Sequence, residues 1–222
     1  MMNILYQSIL EALQQENKEK ALTLSLEALD QEKLSVADLY QEILTPALAH
    51  VVEEYRSEKE LIWREHVRSG IVRTIVECCY PRVLEEKKKI EHLDKTVLVM
   101  CPEAEDHEIG ARMAADFYEL AGYDTFFTGA RTPLKTAIQA VRQIRADYVV
   151  ISVTNFYNFV SVKRTVDSLR KQADDPLTVI TGGRAIQANP DVQAFIGADL
   201  ELHTFEEIKQ LNQEDTSNEL SF

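Results

Sequence analysis

Over residues 1–92 the apolar positions recur every three to four residues, the spacing that places side chains on one face of a helix. Ile4, Ile9, Leu10 and Leu13 mark a first helix, and Ala21, Leu22, Leu24, Leu26 and Leu29 a second. Ser35 with Asp38 three residues on resembles a capping box and predicts a long third helix from about Val36 to Tyr55. A fourth is expected from about Lys59 into the Glu85–Ile90 region, with Leu61, Ile62, Ile71, Ile75 and Val76 on its apolar side. Together these predict an antiparallel four-helix bundle. Proline has no amide hydrogen and its ring crowds the preceding turn. Pro46 is therefore expected to kink the third helix, and Pro81 to bend the fourth or end its apolar part.

Beyond His92 the period changes. Thr96–Met100 is a short continuous apolar run, as in a strand buried on both faces. Strands are also expected at Tyr123–Phe127, Tyr148–Val153, Leu177–Thr181 and Ala198–Leu202. Helical sequence intervenes at Ile109–Ala121, after Thr132-Pro133 (Thr as cap, Pro in the first turn) and at Val160–Lys171. Strict alternation of strand and helix implies parallel strands with right-handed crossovers. The expected fold is thus α/β: a bundle over 1–92, then a doubly wound, five-stranded Rossmann-like (flavodoxin-like) domain over 93–213, with a polar, flexible tail at 214–222.

Composition narrows the function. The chain has 222 residues, 45% of them hydrophobic, enough for real cores. With 24 Lys and Arg against 37 Asp and Glu the net charge is −13, and no basic stripe offers itself to a phosphate backbone. Direct nucleic-acid binding is not expected. No run of about 18 apolar residues suggests a membrane span, and the opening MMNILYQSILEALQQ does not resemble a signal peptide. Cys78, Cys79 and Cys101 show no metal or redox spacing and read as thiols of a reducing cytoplasm.

Doubly wound sheets bind ligands beyond the carboxyl ends of their strands. After the first strand the loop Cys101–Gly110 crowds Glu103, Glu105, Asp106, His107 and Glu108 ahead of a helix. Ser152, Thr154 and Asn155 follow the third strand, and Gly182-Gly183 the fourth. Singly, each has a plain structural explanation in a cap or a turn. Their common place on one rim is what points to a ligand.

In this half the chain resembles the B12-binding domains of methionine synthases, corrinoid methyl carriers and B12-dependent photoreceptors. The family pattern, Asp-x-His-x-x-Gly, Ser-x-Leu and Gly-Gly, corresponds to Glu105-x-His107-x-x-Gly110, Ser152-x-Thr154 and Gly182-Gly183. The resemblance implies cobalamin, in its methyl, adenosyl or hydroxo form, with His107 as the lower cobalt ligand. It gives the carboxylate beside that histidine to Glu105, one methylene longer than the family's Asp, or to Asp106 in its place. Gly110 would let a helix start close to the corrin. Ser152 would bond the displaced benzimidazole, with Thr154 packing nearby and Gly182-Gly183 making room.

The helical half carries Trp63-Arg64-Glu65-His66, similar to the Glu-His of methyl-carrier and photoreceptor caps. Counting back nine intervening residues from Glu65 reaches Tyr55, where the photoreceptors have Trp, and then Arg56 where they have a cobalt-binding His. The resemblance implies that Tyr55, Trp63, Glu65 and His66 face the upper side of the cofactor, though Trp63 and Tyr55 also suit a bundle core. No second catalytic arrangement is present in the sequence. The expected function is cobalamin binding by a regulatory, cofactor- or light-sensing module that acts through a protein partner. The alternatives are a corrinoid methyl carrier serving methyltransferases, and a B12 fold that has lost its cofactor.

Overall fold

A computed structural model describes residues 2–56, 62–173 and 175–219, and at 52, 54–56, 212 and 214–219 it describes the backbone alone. The chain divides into two compact units, Met1–Glu85 and Glu86–Phe222.

The first unit is helical: α1 (Met2–Gln14), α2 (Lys18–Asp30), a run from α3 (Val36–Asp38) into α4 (Thr45–Arg56), and α5 (Ile62–Lys87), which ends just past the unit boundary. The capping box at Ser35 is formed: Ser35 N–H donates to the Asp38 carboxylate, and Asp38 N–H donates to Ser35 Oγ, both at 3.1 Å. Between α3 and α4 the helix widens into a π segment, Leu39–Leu44, with the Thr45 amide bonded to the Tyr40 carbonyl five residues back. The π segment ends just ahead of Pro46, where a wider turn relieves the crowding of the proline ring, and α4 runs on through that residue. Pro81 does not end helix α5, which continues to Lys87 with Val83 buried beyond it. Ile62 is 59% exposed instead of lying on the apolar side. The buried stripe of α5 steps through Arg68, Ile71, Ile75, Cys79 and Val83, and at 100° per residue Ile62 falls well off that line. Lys59 and Leu61, where this helix was expected to begin, lie outside the described residues.

The second unit contains the expected sheet, with strands β1 (Thr96–Met100), β2 (Asp124–Phe127), β3 (Tyr148–Ser152), β4 (Thr178–Gly182) and β5 (Leu200–Glu201). All are parallel, in the order β2-β1-β3-β4-β5. Helices α6 (Ile109–Leu120), α7 (Leu134–Ile144), α8 (Phe159–Gln172), α9 (Arg184–Gln187), α10 (Val192–Ile196) and α11 (Phe205–Glu219) follow their strands in turn. Leu98, Met100, Val149, Ile151 and Val179 form one core cluster with Val141, Val162, Val166 and Leu169 from α7 and α8. Helix α7 begins one residue later than predicted, with Pro133 at its cap position. Thr132 is drawn away from the helix by its hydroxyl's contact with Thr128 Oγ1 at 2.8 Å and by a bridge to Pro102.

Candidate functional site

In this strand order the chain leaves β1 toward one edge of the sheet and β3 toward the other. The switch point lies between them, where such sheets hold ligands. Glu105, from the loop after β1, is buried there. Its Oε2 accepts the backbone N–H groups of Thr154 (3.0 Å) and Asn155 (2.9 Å) and the Asn158 side-chain amide (3.0 Å), all from the segment after β3. Its Oε1 accepts the His107 N–H at 3.1 Å and lies 2.5 Å from His107 Nδ1. Burial alone pushes this carboxyl up, but the bond from the His107 ring and the N–H donors of Asn155, His107 and Thr154 outweigh it and hold it at about 2. Glu105 is thus a fixed carboxylate near neutral pH. A neutral imidazole donating Nδ1–H to it carries its lone pair on Nε2, and the His107 side chain is 59% exposed.

The longer glutamate therefore reaches the histidine, and Asp106 is engaged elsewhere, paired with the Arg131 guanidinium after β2. The β2 loop is latched to the β1 loop by further bonds: Arg131 N–H to the Glu105 carbonyl at 3.0 Å and Ala130 N–H to Glu108 Oε2 at 2.9 Å. Burial raises the Cys101 thiol to about 12, with Glu105 and Glu108 adding to it, so Cys101 is no thiolate near neutral pH.

The glycines divide into two kinds. A Cβ on Gly182 would stand 2.6 Å from the Leu202 carbonyl oxygen, and one on Gly183 2.6 Å from that of Val153, with Gly183 at φ +97°. The protein's own backbone demands both. Gly110, the second residue of α6, has nothing among the described residues outside its own helix backbone and chain neighbours within 4 Å of the place a Cβ would take. Glycine within a helix costs about 1 kcal/mol relative to alanine, and here the fold gives no packing reason for it. Ser152 is buried at the end of β3, in register with Gly182. A rim with an oriented imidazole and open space over the helix start fits a flat, metal-bearing macrocycle.

In the helical unit, Trp63 and His66 are exposed on α5, so Trp63 is not bundle core. Glu65 accepts from Ser69 Oγ at 2.8 Å and lies 3.5 Å from His66 Nε2. Tyr55 belongs to α4, but its side chain lies outside the described part of the chain. His50 and His92 are exposed, and His203 pairs with Glu201 at 2.6 Å.

Sequence reasoning missed Asn158, whose amide completes the Glu105 cradle. An Asn-x-x-Asn after a buried strand was the available signal. It also missed Arg68, whose buried guanidinium bonds the Gln14 carbonyl at 2.8 Å and Glu16 at 2.8 and 3.1 Å, closing the end of α1.

The second unit is a doubly wound ligand-binding domain with a carboxylate-held histidine at its switch point. The chain belongs to the B12 binding domain family, which matches residues 95–209, and a second family of the same description matches residues 5–80. It is a cobalamin-binding protein by that membership. Over 154 residues it is 28% identical to the HTH-type transcriptional repressor CarH of Myxococcus xanthus, a match covering 69% of this chain and 49% of the repressor. The chain thus spans about half the length of that relative. Among solved structures, the monomethylamine corrinoid protein of Methanosarcina barkeri superimposes with a TM-score of 0.83 at 16% identity, over 96% of this chain and 99% of that one. The methanol:cobalamin methyltransferase complex of the same organism gives 0.50 at 16% identity, over 95% of this chain and 78% of that one. These structural likenesses show a common fold.

Proposed function

We propose that this protein holds cobalamin through His107 and works as a cofactor-sensing regulatory module on a protein partner. The observation that carries the binding mode is the buried Glu105 carboxylate 2.5 Å from His107 Nδ1. It fixes the ring's tautomer and raises the basicity of Nε2, as a metal-binding histidine requires. Bound cobalamin would supply a cobalt centre and, in its alkyl forms, a cobalt–carbon bond. Gly110 would leave room over the first turn of α6 for the macrocycle, and Ser152 at the end of β3 would offer its hydroxyl to the displaced benzimidazole beside Gly182-Gly183. Thr154 lends its backbone N–H to Glu105, so its departure from the family's Leu does not disturb the histidine. Tyr55, Trp63, Glu65 and His66 are assigned to the cofactor's upper side.

The regulatory reading is supported by the sequence relation to a transcriptional repressor. With −13 net charge, the chain would act on a regulator and not on DNA. The second reading, a methyl carrier for a methyltransferase, is favoured by the fold shared with the monomethylamine corrinoid protein along nearly the whole of both chains. A visible-absorption titration with methyl-, adenosyl- and hydroxocobalamin, in the dark and after illumination, separates them. Adenosyl preference with a light- or ligand-driven change in partner affinity supports sensing. Methyl preference with turnover by an added methyltransferase supports the carrier, and no binding of any form overturns both.

A further inference from the structure

The segment after β3 forms a short 3-10 turn, Phe156–Asn158, whose two aromatic residues are left on the surface. Phe156 is 55% and Tyr157 78% exposed, yet their rings lie against each other, tilted by 36° with centroids 4.1 Å apart. Exposing two large rings forgoes burial of apolar area that a core would have used. Both ends of the turn are tied down: Thr154 and Asn155 N–H on one side and the Asn158 amide on the other bond the same Glu105 oxygen. Asn155 Oδ1 also accepts the Tyr157 N–H at 3.0 Å. The other oxygen of that carboxylate holds His107. The backbone that carries the two rings is thus tied, through one buried carboxylate, to the residue that bonds the imidazole at the switch point.

We infer that Phe156 and Tyr157 form an apolar shelf of the cofactor site that contacts the corrin macrocycle, not its nucleotide tail. The inference rests on the cobalamin-binding reading above. A mobile surface turn would not hold its rings in register with a metal-binding histidine. The corrin periphery is rich in methyl groups, and aromatic faces suit such groups. The hydroxyl of Tyr157 has no part in this, so the ring is what matters.

The test is an absorption titration of the whole chain with hydroxocobalamin and with diaquacobinamide, which has the same macrocycle without the tail. Wild type is compared with Phe156→Ala, Tyr157→Ala and Tyr157→Phe. Circular dichroism of each apo variant checks folding, which substitutions at these exposed positions should preserve. Each alanine variant is expected to lose about tenfold in affinity for both ligands, the scale of one aromatic contact. Tyr157→Phe should bind as wild type, and the cobalamin spectrum at saturation should stay that of the histidine-ligated form. Unchanged affinity in both alanine variants overturns the shelf while leaving cobalamin binding intact, and so does a loss confined to hydroxocobalamin. Failure of wild type to bind either ligand would overturn the binding reading itself.

Discussion

At Glu105 one side chain settles two matters, the orientation of His107 and the course of the segment after β3. Replacing His107 by Ala removes the proposed cobalt ligand and one partner of the buried Glu105 carboxylate, which keeps its N–H donors from Thr154, Asn155 and Asn158. The apo variant should still fold, at a cost of about 1–3 kcal/mol in urea unfolding, while its cobalamin spectrum shifts and its affinity falls at least about tenfold. An unchanged spectrum and affinity would remove His107 from the lower face. Glu105→Gln puts an amide donor where N–H donors converge, and should cost about 1–3 kcal/mol in urea unfolding of the apo protein. The pH dependence has a definite sign. The folded carboxyl sits at about 2 against an ordinary value of 4.5, so its stabilisation is present above the unfolded value and is lost as pH falls from about 4.5 toward 2. The stability gap between wild type and Glu105→Gln should therefore close over that window. A gap that stays constant would assign the loss to packing. The sequence showed Glu105 beside His107 but not the donors at 154, 155 and 158, because those bonds span about fifty residues and follow no local period.

Among the elements, the strands and their parallel arrangement were the most legible part. Continuous apolar runs of five residues have one comfortable place in an alternating chain, a sheet covered on both faces. Element ends were less legible. Thr132 looked like a helix cap, but its hydroxyl serves the β2 loop. Thr204 and Glu207 form a capping box at the start of α11 that was overlooked, with Glu207 N–H bonded to Thr204 Oγ1 at 3.2 Å and Thr204 N–H to Glu207 at 2.8 Å. Helix α6 and the turn after β4 allow a paired test. Gly110→Ala should stabilise the apo protein by up to about 1 kcal/mol, since nothing obstructs the new methyl, and should weaken cobalamin binding. Gly183→Ala meets backbone at 2.6 Å with φ at +97°, and should cost about 3 kcal/mol or more or prevent accumulation of folded protein. Thermal melts and titrations of the two variants check both expectations; tighter cobalamin binding by Gly110→Ala would contradict the assignment of that face.

For the molecule as a whole, the change of hydrophobic period near residue 92 was visible in the sequence, while the units divide at Glu85/Glu86. The difference reflects α5, whose periodic pattern fades gradually into charged residues and gives no sharp stop. One core cluster of the sheet is drawn entirely from residues between Leu98 and Ile196. A fragment from Lys88 onward should therefore fold alone, with helix and strand signals in circular dichroism and a cooperative melt. A non-cooperative melt would mean that the helical unit contributes to its stability.

The unequal crowding around the glycines has a bearing on descent. Gly182 and Gly183 are held in place by the fold, so any lineage keeping this sheet must keep them, whatever it does with the cofactor. Gly110 is crowded by no other element among the described residues. In a descendant released from cobalamin, drift would reach that position first, and a larger residue there beside an intact Gly-Gly would be the mark of a domain that had changed its trade.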